Sequence, residues 1–383
     1  MRRKDILSVG VLIIIMVLLA DCRREEFIWG TKIGDIIYSE EVVLLGTQEL
    51  NLLSEVTENK IVFSATTAEI ENLTDVNILV TGITEKTPSG LLRKITGIQN
   101  DGTKVTITTT DALLTDIIKE GTITLQMRLL EKDFTLKSKM EGVLVNGPGK
   151  AFDGLAVTLD NFVIYRDGAK VARLNGSIGI SSEIELIIKV GSNKIKEIKA
   201  VTTLNKIDEL TVTSDGAFNG GQEVVAAEFV HSPIIIDSLV FVPVVKIICG
   251  FAGTVSSEVT SGVRQDRVIT SKMNYVNSTW SEDPLTNSES HDFTVPQITD
   301  NSSLKIFSGP EITINLFGIP VQTIKATGFY SLEAQKTASP FWRLLIGNDG
   351  QNSVKSDILG LSGDHTSNII IQPSEIANAN SRK

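Results

Sequence analysis

"EIELIIKVGSNKI", residues 183–195, decides the fold class. Ile184, Leu186, Ile188 and Val190 alternate with Glu183, Glu185, Ile187 and Lys189. A period of two sends one set of side chains to a buried face and the other to water, as in a β-strand. Gly191-Ser192-Asn193 then turns the chain, and a second strand-like run begins at Ile195. Gly and Asn tolerate the positive φ that a tight hairpin requires.

The same strand-and-turn pattern recurs in both directions. Thr103–Thr108 reads as a half-buried strand with Val105 and Ile107 on one side. Asn100-Asp101-Gly102 and Arg166-Asp167-Gly168 are further hairpin signals. The β-branched residues that dominate these runs lose χ1 freedom in a helix and pack well on a pleated surface. Leu239 to Ala252, interrupted by Pro243 and Lys246, is too short to span a membrane and reads as one buried strand or two joined at a bend. The expected class is therefore all-β (mainly). One short helix is expected over Ala112–Glu120, capped by Asp111 and ended by Gly121, with Leu113, Leu114, Ile117 and Ile118 on one face. Val42–Leu53 suits strand and helix equally.

"KSKMEGVLVNGPGKAFDG", residues 137–154, runs into the breaker cluster Asn146-Gly147-Pro148-Gly149. It separates a small N-terminal β module at 35–140 from a larger β-sandwich-like domain at 150–377, with a tail at 378–383. The polar stretch 281–303, holding Pro284 and Pro296, reads as a loop.

The amino end speaks of address. Arg2, Arg3 and Lys4 precede an apolar run from Ile6 to Ala20 broken only by Ser8 and Gly10. A spanning helix needs about 20 residues, so the pattern of residues 1–21 is that of a secretory signal peptide. The run ends Leu19-Ala20-Asp21-Cys22, which resembles the bacterial lipobox, although Asp21 stands where Gly, Ala or Ser is usual. Arg23-Arg24-Glu25-Glu26 resembles the acidic surface-export signals of some Gram-negative lipoproteins. These resemblances imply lipidation at Cys22, a linker at 22–34, and a mature chain held on the outer membrane or cell surface by its acyl chains. Cys249, the other of the two cysteines, lies in the apolar run Ile247–Ala252 and reads as a buried, inert thiol.

Composition narrows the partners. The formal charge is −10, and loss of residues 1–21 removes three basic and two acidic groups, giving −11. Phosphates repel such a chain and no Lys/Arg block opposes that sign, so nucleic acid is not an expected partner. Aromatic residues make up 5%, and Trp29, Trp280 and Trp342 are far apart, so a broad sugar-stacking platform is not legible. The expected partners are the membrane, through the N-terminal lipid, and an unidentified protein or glycan.

No motif carries chemistry. His231, His291 and His365 have no second histidine or cysteine at metal-ligand spacing, and His291-Asp292 and Asp364-His365 read as solvated loop or turn residues. There is no G-x-S-x-G elbow. "GPGK" at 147–150 lacks the earlier glycine of a P-loop, since Leu144 is there, and Ala151 replaces its Ser or Thr. "GNDGQN" at 347–352 lacks the spaced acids of an EF-hand and reads as a hairpin turn. Trp280 and Trp342 read as core. No catalytic, cofactor-binding or metal-binding residue is expected, and no cofactor.

"TPSGLLRKITGI" (87–98), "TTTDALLTDIIKEGTI" (108–123), "MNYVNSTW" (273–280) and "ITINLFGIP" (312–320) resemble parts of uncharacterised bacterial extracellular β-rich proteins. The resemblance implies an extracellular β-rich chain and supplies no catalytic residue. The functional expectation is a lipid-anchored cell-envelope protein with a non-catalytic binding, adhesive or structural role. The alternative is an envelope hydrolase acting on glycans through an unidentified carboxylate pair.

Overall fold

The computed structural model describes residues 36–145 and 154–380. These residues form 24 strands and three helices of four to six residues, so the protein is all-β. Residues 1–35, with Cys22 and the linker, lie outside the described residues, as do 146–153 with the breaker cluster and "GPGK".

Two nine-stranded antiparallel sheets make the body. Sheet I contains β1 (Ile37–Tyr38), β8 (Ile118–Arg128), β10 (Val143–Val145), β11 (Leu155–Asp167), β12 (Lys170–Gly191), β13 (Ile195–Ser214), β17 (Val259–Val276), β18 (Thr279–Glu282) and β19 (Thr286–Ile298). Sheet II contains β9 (Phe134–Lys139), β14 (Phe218–His231), β15 (Ile234–Ile236), β16 (Leu239–Val255), β20 (Ser302–Leu316), β21 (Ile319–Ala334), β22 (Trp342–Val354), β23 (His365–Asn368) and β24 (Ile371–Asn378). The opening motif is the β12–β13 hairpin, whose Ser192 and Asn193 take φ of 52° and 55°. At 22 residues β12 extends about 70 Å. Its first half pairs with β11 and its second with β8, so one strand carries two neighbours on the same edge.

The sheets face each other over one apolar core, to which β12 gives Ile178, Ile184 and Leu186 and β16 gives Phe241, Val245 and Phe251. The 239–252 run is a single strand. Pro243 sits where the neighbour of β16 changes from β15, paired with Leu239–Phe241, to β14, paired from Val244 onward. The missing N–H therefore breaks no ladder bond.

A third, six-stranded sheet lies at one end: β2 (Val42–Leu44), β5 (Ile78–Thr81), β6 (Leu91–Asn100), β7 (Val105–Asp111), β4 (Lys60–Phe63) and β3 (Leu53–Val56), in that order. Only the β2–β5 pair is parallel. One face, with Leu79, Leu91, Ile95 and Ile107, is covered by α1 (Thr47–Leu52) and α2 (Ala68–Glu71) through Leu50 and Ile70. The other face gives Ile78, Val80 and Leu92 to the sandwich core. The approach is close: a Cβ on Gly90, φ 71°, would lie 2.9 Å from Phe317 and from Val240.

Four local expectations are revised. The ambiguous Val42–Leu53 stretch contains both β2 and α1. The helix expected at Ala112–Glu120 shrinks to α3 (Leu114–Ile117), with Asp116 accepting from the Leu113 N–H at 2.9 Å. Ile118 already belongs to β8, where it pairs with Tyr38 of β1 before the strand pairs with β12 from Glu120 onward, so sheet pairing outweighs the helical spacing of the apolar residues. After β1 at the edge of sheet I, the chain returns to the sandwich there, since β8 to β10 are strands of its two sheets. The polar stretch 281–303 is mostly β19, an edge strand polar because it is solvated along nearly its whole length. "GNDGQN" lies inside β22, not in a turn. A Cβ on Gly347 would come 2.4 Å from Phe329, and one on Gly350 2.2 Å from the Lys325 carbonyl oxygen, so close approach selects these glycines.

A polar belt crosses the middle of the apolar core. Lys206 and Asp208 on β13 and Gln265 and Arg267 on β17 are all buried. Lys206 donates to the Ser308 carbonyl on β20 at 2.6 Å, Gln265 to Phe329 on β21 at 3.1 Å, and Arg267 to Gly347 on β22 at 2.7 Å. In return the Tyr330 hydroxyl donates to the Ser261 carbonyl on β17 at 3.0 Å. Lys206 also pairs with Asp208, and a Cβ on Gly328 would lie 2.6 Å from the Lys206 ammonium. Burial pushes the Lys206 ammonium down and the Asp208 carboxyl up, and each partner opposes the other's shift.

Candidate functional site

The ends of five sheet II strands build a cleft on the outer face. Alternation along β16, β20, β21, β22 and β24 brings Thr254, Ser303, Glu333, Arg343 and Asn378 to the same side, and strand register sets them side by side. The β21–β22 connection, residues 335–341, is folded by hydrogen bonds from Ala338 N–H to the Gln335 carbonyl at 3.0 Å and from Gln335 N–H to the Phe341 carbonyl at 2.9 Å. The Lys336 N–H reaches the Asn301 side chain at 2.9 Å and ties this loop to the start of β20. The cleft is open to solvent and has a volume of about 790 Å³, within the range of small-ligand sites.

The lining is mostly neutral and hydrogen-bonding: Thr254, Ser256, Asn301, Ser303, Gln335, Thr337 and Ser339, with half-buried Phe341. Its charges are largely matched. Arg343 holds one Glu333 oxygen through both Nε and Nη2 at 2.7 Å, and Glu375 accepts from Asn378 at 2.7 Å. Just outside the lining, Asn301 N–H and Lys336 draw the Asp300 carboxyl below its usual range.

Further along the same strands, beginning two residues on in β16 and β20 but lying more distant along β21 and β22, is a second hollow of about 410 Å³, lined by Ala252, Lys305, Phe307, Lys325, Asp349 and neighbours. Lys325 pairs with Glu223 at 2.6 Å, Lys305 pairs with Asp349, and the Lys305 ammonium stands 3.9 Å from the Phe329 ring centroid. Phe307 and Phe329 lean onto neighbouring strands where Gly250 and Gly347 stand, since a Cβ on Gly250 would be 2.3 Å from Phe307.

The histidines come to different places. His231 meets Phe134 edge-on at 4.8 Å, and His291 is exposed on β19. His365 is no free turn residue: its ring stacks on Trp280 at 4.3 Å, and its Nε2 lies 2.9 Å from Glu282. Ser367 donates to the same carboxylate at 2.6 Å. Serine and histidine thus share a carboxylate, and no serine–histidine bond is among the contacts. The cluster joins β18 of sheet I to β23 of sheet II. Trp342 is buried core. The Cys249 thiol is free and fully buried, which raises it to about 12. Among the described residues no group of three metal-ligating side chains converges, and no helix is long and apolar enough to cross a membrane.

Sequence reasoning missed the cleft because its residues come from five strands spread between 254 and 378, joined only by register. Comparison with known proteins yields no match, whether to a family model, a curated protein or a solved structure.

Proposed function

We propose that this chain is a lipid-anchored cell-envelope protein with a non-catalytic role, binding a polar ligand in the cleft at the outer face of sheet II. The anchor rests on the Leu19-Ala20-Asp21-Cys22 sequence. The binding role rests on one observation: a cleft of about 790 Å³ lined by neutral hydrogen-bonding side chains and a largely paired set of charges. Hydroxyls and amides held on strand ends are preorganised for orientation rather than bond cleavage.

The alternative is a glycan hydrolase, favoured by the presence of Glu333 and Glu375 in one cleft. A glycosidase acid needs an apolar surround. Glu375 is exposed, and Glu333 is 41% exposed and gripped by Arg343. The environment therefore favours binding. Ligand-dependent amide shifts in residues 335–341 of the mature chain test the reading. Shifts confined to that loop and its neighbours support it, and sugar release abolished by Glu333→Gln or Glu375→Gln would replace it with the hydrolase.

A further inference from the structure

We infer that the ligand class is a neutral, hydroxyl-rich oligosaccharide, and that it runs from the cleft across Phe307 into the second hollow. This inference rests on reading the cleft as a ligand site. Three features carry it.

The first is charge. Across both hollows Glu333 is paired with Arg343, Lys305 with Asp349 and Lys325 with Glu223. An anion or cation entering there must compete with an existing partner, whereas a neutral ligand leaves all three pairs intact. Only Glu375 carries a charge whose partner is an amide.

The second is the alternation of surface types. Hydroxyls and amides at Thr254, Ser256, Ser303 and Gln335 give way two to four residues along the strands to the half-buried Phe307 ring. Because Gly250 has no Cβ, that ring leans along the sheet instead of standing off it. Phe341 gives a second half-exposed ring at the loop. A pyranose has hydroxyl edges and apolar C–H faces, so it matches a surface that presents hydrogen-bonding groups and aromatic faces in turn.

The third is continuity. The two hollows lie on the same outer face, and the step from the Thr254–Ser303 row to the Gly250–Phe307 row is about 13 Å. A single sugar would fill one hollow, and a short chain would fill both. The low aromatic content does not oppose this, because two rings at these places suffice.

Titration calorimetry and amide shifts of the mature protein, with neutral hexasaccharides of the cello, chito, malto and laminari types, test the inference. An acidic galacturonate oligomer and a lysine-rich peptide serve as charged probes. Saturable binding of at least one neutral hexasaccharide is expected, weakened about tenfold by Phe307→Leu and by Phe341→Ala with the unfolding midpoint retained. Because Phe341 also packs against the core, Gln335→Ala, at an exposed position lining the cleft, decides if either ring variant fails to fold, and it is expected to weaken binding several-fold. No binding by any neutral hexasaccharide, or binding indifferent to the ring substitutions, overturns the inference. Should a charged probe alone shift the 335–341 resonances, the cleft remains a ligand site and only the sugar assignment falls. Should no probe shift them, both fall.

Discussion

The core of the six-stranded module packs Phe63, Leu79, Ile95 and Ile107 under two short helices, and its buried carboxylate, Glu49, is met by the Thr67 hydroxyl at 2.9 Å. The core between the nine-stranded sheets is instead crossed by Lys206, Asp208, Gln265 and Arg267, three of which donate to the main chain of the facing sheet. Apolar contact has no direction. A small sheet closed by helices needs no more than that. Two long sheets lined by Ile, Leu and Val have many nearly equivalent ways to slide past each other, and directional bonds from β13 and β17 to β20, β21 and β22 select one. The hypothesis drawn from this contrast is that the belt sets the relative position of the sheets, at the expense of burying charge.

The largest effects are expected at the belt. Asp208→Ala leaves the Lys206 ammonium buried without its carboxylate and should lower unfolding free energy by about 3–5 kcal/mol in urea titration. The paired replacement Lys206→Met with Asp208→Leu should recover most of that loss while blurring the resonances of β13 and β20. A single substitution costing no more than a surface change would contradict the assignment. In the module, Ile107→Ala should cost on the order of 3 kcal/mol by cavity formation. Hydrogen exchange should place that loss in β4 to β7, leaving β13 and β17 protected. Gly328→Ala should cost about 1–3 kcal/mol, because the added methyl meets the Lys206 ammonium at 2.6 Å. An unchanged urea midpoint would mean that Lys206 swings aside freely.

The smallest effect concerns acid. Lys355 and the Ser356 N–H draw the Asp364 carboxyl from 3.8 down to about 2. The folded state then binds this proton less readily than the unfolded chain, so the contribution is present above about pH 4 and disappears as pH falls to about 2. Asp364→Asn should therefore lose less stability than the parent between pH 5 and pH 2, by a small amount because the side chain is largely exposed. Parallel acid curves for the two proteins would refute the pairing.

Much of this architecture was legible as period-two alternation and turn chemistry. The hairpins at Asn100–Gly102, Arg166–Gly168 and Gly191–Asn193 follow from residues that accept positive φ, and Asp101 holds its turn by accepting from the Lys104 N–H at 2.8 Å. The failures have physical causes. β19 reads as a loop because nearly all of its positions are solvated, and the glycines of β22 read as a turn because the chain gives no hint of the Phe329 ring across the strand. The belt did leave a trace: Lys206 and Asp208 are in phase with Leu204 and Leu210, which places two charges on a core-facing register. The cleft left none, because only strand pairing brings Thr254, Ser303, Glu333, Arg343 and Asn378 into one row.

The proposed anchor makes Cys22 the first residue of a mature, exported chain. Mass spectrometry of the N-terminal peptide, from envelopes of a Gram-negative host making the full chain, tests it most directly. The predicted result is a peptide beginning at Cys22 and bearing diacylglycerol with an amide-linked acyl chain. An unmodified terminus at another residue, on a chain recovered from the cytoplasm, would contradict it.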